Sequence, residues 1–336
     1  MKWYLVRLAA ESWMASAWQS DTIWGHLCWG LKYNYGEDAL LKFIDDYEKG
    51  TPPLLVSNGF PEDLLPRPKM PEPIPDRHRS LAEQRQEFRD RKSAKDIKFL
   101  TQEEFTRAID GEQFVPSLKE GIETKMVTLK NQINRLTGTT GAGEAGQLFS
   151  FEQYRWWSEP EKEGGRRRAS VSIYLKIADK FAGRAKELFQ YLAQSGYGKR
   201  KSVGYGQVKL VAFETFTGFP SPADANGFVT LSNFVPAAQD PTTGYWDIIV
   251  KYGKLGEEFA YGENPFKKPL VMFTAGSTFR DSPCREHYGR LVRGLSPVHA
   301  DKVVQYGFAL PVPMKLPLAE ATGETIGEGM RSEVMQ

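Results

Sequence analysis

Residues 196–206 read GYGKRKSVGYG, with three consecutive cations (Lys199, Arg200 and Lys201) and two tyrosines (Tyr197 and Tyr205) set among four glycines. Such a stretch buries little apolar surface, and its glycines reach backbone conformations that other residues avoid. A Walker phosphate loop needs a glycine, four residues and then Gly-Lys-Ser/Thr, ahead of a helix whose N-terminus faces the phosphate. Here Ala193 stands at the first glycine, Arg200 follows Lys199, and the loop trails a helical segment. A GxGxxG fingerprint fails because Lys201 occupies the third glycine position. Two readings survive. In one, peptide N–H groups at Gly196, Gly198, Gly204 and Gly206 approach phosphates while Lys199, Arg200, Lys201 and Ser202 add polar contacts and the tyrosines stack on splayed bases. In the other, the stretch is a basic turn without a ligand.

Other polar groups point the same way with less specificity. Asn131 and Arg135, in LKNQINRLTGTT, lie on a strand entering a Gly/Thr-rich tip at 137–146, an exposed finger longer than a tight turn. A side-chain amide and a guanidinium there suit phosphate or base edges, or are ordinary strand polars. FTAGSTFR adds Ser277 and Arg280 on a small-residue turn. The catalytic inventory is thin. His26, His78, His287 and His299 are dispersed, no HxxxH or HExxH spacing occurs, and neither a metal nor a cofactor is implied. Asp21, in SDT, is accounted for with Ser20 as a helix cap.

The elements that must carry these groups follow from the hydrophobic pattern. KWYLVRLAA reads as a strand apolar on both faces. The stretch after Gln19 reads as a helix with Ile23, Trp24, Leu27, Cys28 and Leu31 on one side, and Gly25 and Gly30 permit close approach of a neighbour. A second helix near 37–48 turns Leu40, Leu41, Ile44 and Tyr47 inward. Residues 61–76 hold six prolines and read as extended loop. A polar helical insertion covers 77–98, and Thr101 with Glu104 forms a capping box before Gly111. A strand, the finger, a strand, then RASVSIYLKIAD, a helix over KFAGRAKELFQYLAQS and YGQVKLVAFE complete a first β–α unit and its counterpart. Residues 217–227 have linker composition, and strand-rich segments follow up to an acidic tail.

With 336 residues, two domains are expected, and the net charge of +2 leaves cationic clusters, including Arg166 to Arg168, as local features. Cys28 and Cys284 form no metal or disulfide pattern, which suits a reducing, cytoplasmic setting. Arg7 and Glu11 break the N-terminal apolar run, so a signal peptide is not expected. No stretch reaches membrane-span length.

In order, SDTIWGHLCWGL, NGFPEDLLPRPKMP, NQINRLTGTTGAGEAGQLF, GYGKRKSVGYGQVKL, FTAGSTF and VQYGFALPVPM resemble the RAMP superfamily of CRISPR-associated proteins. Within it they are most similar to the tag-binding subunits of type III-A (Csm) effector complexes. The likeness spans Trp3 to about Leu318. It implies an α+β fold of tandem ferredoxin-like (RRM-like) domains with a glycine-rich loop and a protruding finger. The domains would be 1–215 (insertion about 61–100, finger about 131–150), 216–318, and a flexible tail 319–336. It implies no enzyme. The subunit would be an RNA-binding one in antiviral defence that grips the repeat-derived 5′ tag of crRNA. It would dock the large polymerase/cyclase-like signalling subunit and a RAMP backbone subunit, and reach target RNA near the first guide-target pairs. Transferred onto this chain, Gly196–Gly206 hold the tag, Asn131 and Arg135 meet the guide, and Ser20, Asp21 and Thr22 face the same RNA groove. Gln19 stands where relatives commonly have histidine, a change that would remove activity if that histidine were catalytic and alters one polar contact if the subunit only holds RNA. The alternatives are a metal-independent repeat-processing endoribonuclease with His26 as general base, and a purely structural assembly partner.

Overall fold

The computed structural model describes residues 1–71, 97–117, 122–131, 148–158, 167–261 and 263–317, with isolated positions at 80, 83, 85, 89, 133, 138 and 140. Most of the insertion at 77–98, Arg135, nearly all of the finger at 137–146 and the tail from 319 lie outside the described residues.

In chain order the first half comprises β1 (Lys2–Ala10), α1 (Ser20–Tyr35), α2 (Glu37–Glu48), β2 (Leu54–Pro61), β3 (Leu65–Pro66), β4 (Phe99–Leu100) and α3 (Gln102–Ile109). It continues with β5 (Glu123–Asn131), β6 (Leu148–Trp156), β7 (Ser170–Ile177), α4 (Ala182–Ser195) and β8 (Val208–Thr215). β2, β7, β1 and β8 form one antiparallel sheet in that order. Counted along the chain, this is the 4-1-3-2 order of a βαββαβ unit. α1 packs against α2, α4 and β2, and α4 packs on β8. The α1 stripe is buried as its spacing predicts, through Ile23, Trp24, Leu27 and Leu31. Gly30 is the close-approach glycine, since a Cβ there would lie 2.7 Å from the Tyr191 ring, whereas Gly25 has open space. On α2 the inward set is Phe43, Ile44 and Tyr47, and Leu41 is 56% exposed.

The opposite face of the sheet is covered by Phe216 and by the start of the supposed linker at 217–227. Phe216 and Phe219 close on Tyr174 of β7 at ring distances of 5.3 and 5.2 Å, and Phe219 meets Phe105 of α3 at 5.4 Å. Both faces of β7 are therefore dry, which is why its sequence reads as a near-continuous apolar run.

The second half holds β9 (Gly227–Thr230), β10 (Gly244–Tyr245), β11 (Ile248–Lys251), β12 (Leu270–Phe273), β13 (Thr278–Arg280), β14 (Tyr288–Gly289), β15 (Phe308–Ala309) and β16 (Pro311–Met314). β10, β13, β9 and β16 make a second antiparallel sheet, and β11 with β12 makes a separate ribbon. Among the described residues this half has a single 3-10 turn, Glu257–Tyr261, and no α-helix. Its closing strands complete the first core. Tyr306 stacks on Trp24 at 5.6 Å and its hydroxyl accepts from Val56 N at 3.1 Å, while Phe308 meets Tyr47 at 5.2 Å. One apolar cluster thus crosses the junction of the halves.

The capping box of α3 is formed, with Glu104 N donating to Thr101 Oγ1 and Thr101 N donating to Glu104 Oε2. Ser117 N also donates to Glu104 Oε1 at 2.7 Å. Burial works to raise the Glu104 pKa, but the donors from Thr101 and Ser117 outweigh it and hold the carboxyl below its ordinary 4.5. A depressed folded pKa adds stability that is complete above the ordinary value and is lost as pH falls through the depressed one. Glu104→Gln presents an NH2 group to one of these donors. In urea titrations the variant is expected to be less stable than the parent at neutral pH, and the gap should shrink as pH falls below 4.5 and through the depressed pKa.

Candidate nucleic-acid interface

The glycine-rich loop is fixed at its base and open at its tip. Tyr197, fully buried, stacks on Trp18 with centroids 3.8 Å apart and planes 9° apart. Its hydroxyl donates to Ala17 O at 2.6 Å and accepts from Gln19 N at 3.2 Å. Tyr197 N donates to Gly206 O, and Gly206 N donates to Trp13 O. Gly206 has φ +69° and a Cβ there would fall 1.9 Å from Tyr197 O, so only glycine fits. Gly198 N donates to His26 Nε2 at 3.0 Å, and Lys199 N to Ser16 Oγ at 2.9 Å. The segment between β1 and α1 thus clamps both ends of the loop. Tyr197 is part of this clamp and offers no surface to a base, which corrects its reading as a stacking platform.

At the tip, Lys199, Ser202 and Gly204 are exposed. Arg200, itself in the left-handed region at φ +60°, lies over Phe151 at 4.4 Å and Phe149 at 5.0 Å. Lys130 donates to Tyr205 Oη at 2.7 Å and sits over the Tyr205 ring at 4.7 Å. Tyr205 meets Phe151 edge-on at 5.1 Å. The loop is therefore joined to the β5–β6 hairpin by a cluster of two cations and three aromatic rings. A guanidinium stacked on a ring keeps its in-plane N–H donors available, as binding to phosphate requires. Asn131, exposed at the end of β5, borders this cluster in sequence. Lys130, Phe149 and Phe151 were not among the candidates. Their signal was the alternation of LFSF along β6, which sets both phenylalanines on the same side as Lys130.

Several candidates lie elsewhere. Neither Ser20 nor Asp21 caps α1, for Gln19 is the N-cap residue and no side chain caps it. Ser20 is fully buried between the halves, where its Oγ accepts from Asn233 N at 3.2 Å and its N donates to Asn58 Oδ1 at 2.9 Å. The Asp21 side chain is 1% exposed, paired with Lys251 of β11 and accepting from Gln305 Nε2. Lys251 Nζ also donates to Thr22 Oγ1 at 2.8 Å. SDT is thus a seam between α1 and the second half, and its carboxylate is withheld from solvent and from any ligand at the surface. Gln19 borders a cavity of about 1030 Å³ between the halves, together with Asn58, Arg67, Lys69 and Trp156. Ser277 is fully buried against Asp247 N, and Arg280 donates to Pro317 O. Their turn anchors the proline-rich segment, as Thr278 Oγ1 donates to Lys69 O at 2.7 Å and Lys69 N to Gly276 O. Both were placed at RNA because small-residue turns near arginine look alike whether they hold a ligand or another stretch of chain.

His26 has its Nε2 occupied by the Gly198 N–H, and burial, assisted by nearby Lys201, pushes its pKa down to about 3. Among the described residues no group of His, Cys, Asp and Glu could hold a metal ion, and no helix is long and apolar enough to cross a membrane.

No protein-family model and no curated protein matches the chain. Solved structures do match it in fold. A chain of the Csm1-Csm4 cassette in complex with AMPPNP aligns with a TM-score of 0.62 at 16% identity, over 94% of this chain and 99% of that one. The cassette in complex with cA4 gives 0.62 at 17% identity with the same coverages. A chain of the Csm3-Csm4 subcomplex of the type III-A CRISPR-Cas interference complex gives 0.58 at 14% identity, over 94% and 100%. The subunit common to these assemblies is Csm4. The chain has the Csm4 fold. Its mixed α/β architecture of antiparallel sheets with few helices is that of Csm4 along nearly its whole length.

The seam yields a test. Breaking a buried ion pair by neutralising one partner strands the other charge, typically at about 3–5 kcal/mol. Asp21→Asn is expected to cost about 3 kcal/mol in urea titrations. Adding Lys251→Met should recover part of that loss, because the stranded ammonium is then gone.

Proposed function

We propose that the chain is a non-catalytic subunit of a type III-A CRISPR effector complex that holds the 5′ repeat-derived tag of crRNA. It docks the large polymerase/cyclase-like signalling subunit and a RAMP backbone subunit, and its finger reaches target RNA beside the first guide-target pairs. The observation that carries this reading is the rim made by Lys199, Arg200, Lys130 and Tyr205 on a chain with the Csm4 fold. Such a rim pairs phosphate-binding cations with an aromatic ring, as single-stranded RNA recognition requires. Similar chains occur in assemblies with Csm1 and with Csm3, which supports both protein contacts.

Two apolar ribbons agree with an assembling subunit. Val127, Leu129 and Leu148 on β5–β6 are 65, 70 and 68% exposed, and Ile248 and Val250 on β11 are 53 and 44% exposed. The tandem ferredoxin-like reading is supported by the strand order of the first sheet. The second half would then be a reduced unit, with no α-helix among its described residues. The non-catalytic reading is supported by His26, whose buried Nε2 accepts a structural hydrogen bond and stays neutral at physiological pH.

The test is co-expression of the tagged chain with the other subunits and 5′-end sequencing of the RNA that co-purifies. A single repeat-derived 5′ end is expected, blurred or depleted in Lys199→Ala/Arg200→Ala/Lys201→Ala. RNA without a defined 5′ end in both samples would remove the tag-holding role and leave a structural assembly partner. Cleavage of repeat RNA by the purified chain, abolished by His26→Ala, would overturn the non-catalytic reading.

A further inference from the structure

Lys201, the third loop cation, points away from the hairpin cluster and is already paired. Its Nζ lies 2.8 Å from Glu257 Oε1, with side-chain exposures of 25% and 30%. Glu257 opens the 3-10 turn Glu257–Tyr261, in the connection between β11 and β12, and its φ is +48°. A glutamate in the left-handed region is uncommon and persists only where its surroundings hold it there. The surroundings do so from both sides. Phe259 packs against Trp29 of α1 at 5.8 Å and against His299 at 4.6 Å. Glu258 pairs with Lys32 of α1 at 3.0 Å. Before the turn, Leu255 is buried and its N–H donates to Pro265 O at 2.7 Å. The turn is therefore strapped across α1 with one carboxylate delivered to the glycine-rich loop.

A carboxylate and a phosphodiester offer a lysine ammonium the same thing, an anionic oxygen at hydrogen-bond distance. We propose that Glu257–Tyr261 is an acidic strap occupying the phosphate position at Lys201, so that RNA engages the full loop only by displacing the Glu257 carboxylate. The inference rests on the RNA-holding reading. The strap sets a threshold. An isolated phosphate competes with a tethered carboxylate already in place, whereas a strand that also contacts Lys199 and Arg200 gains enough to displace it. Because the pair is partly solvent-accessible, the exchange requires no opening of the core. Because the strap belongs to the second half, RNA at the loop and the position of that half are coupled through one ion pair.

The test uses the full chain and a fluorescein-labelled copy of the 5′ end of the guide RNA that co-purifies with it, read by fluorescence anisotropy. Glu257→Gln keeps the size of the side chain and removes its charge. It is expected to tighten binding about two- to fivefold at low salt, the span of a partly exposed ion pair. The difference should close as added salt screens the pair. In a Lys201→Ala background the same substitution should have no effect, because the competitor then has nothing to occupy. Thermal melts of each variant verify folding. Unchanged or weaker binding by Glu257→Gln, or a gain that persists without Lys201, overturns the strap. If the triple loop variant loses the RNA while Glu257→Gln has no effect, the strap alone falls. If no RNA co-purifies and none binds, the RNA-holding reading fails and the strap falls with it.

Discussion

The stack of Tyr197 on Trp18 fixes where the glycine-rich loop and its cations can go. A fully buried tyrosine ring 3.8 Å from an indole cannot shift without opening the core, and its hydroxyl is committed to Ala17 O. The loop that begins at Gly196 therefore leaves the core at one place and returns at Gly206, whose lack of a Cβ lets Tyr197 O approach. The cations between are held outward by geometry and not by their own preferences. A loop this rich in glycine would otherwise lose much of its binding free energy to ordering.

From that anchor two directions diverge. Arg200 and the loop's second tyrosine lean on the β5–β6 hairpin, joining Lys130 and Phe151. Lys201 turns the other way, toward the second half and Glu257. A single short loop thus touches the first sheet's helices, the hairpin and the second half. Three parts of the fold therefore meet at the one loop.

The seam between the halves joins an apolar core to a largely buried polar cluster. Tyr306 and Phe308 close the core under Trp24 and Tyr47, while Asp21, Lys251, Gln305, Ser20, Asn58 and Asn233 tie the halves together beside it. An apolar core supplies most of the stability, and a polar network in which Asp21 Oδ2 is paired fixes the relative placement that lets the core close. Residues that look like a ligand-facing motif in one dimension serve this seam in three.

Local physics made much of the chain legible. The apolar stripe of α1, the capping box at Thr101 and Glu104, the β5–β6 pairing and the alternation of strand and helix on either side of the finger all follow from spacing and capping chemistry within a few residues. The loop's cations and glycines were visible for the same reason. The sequence could not tell which polar residues face water, because that depends on what arrives from far along the chain. Asp21 and Lys251 are 230 positions apart, Ser20 meets Asn233, and Tyr197 lies buried over Trp18 while Tyr205 leans on the hairpin beside Lys130. Long-range closure buried Ser20, Asp21, Ser277 and Tyr197 and left Lys199 and Ser202 outside, because a buried polar group must find its partner wherever the chain returns, and only the tertiary structure says where that is.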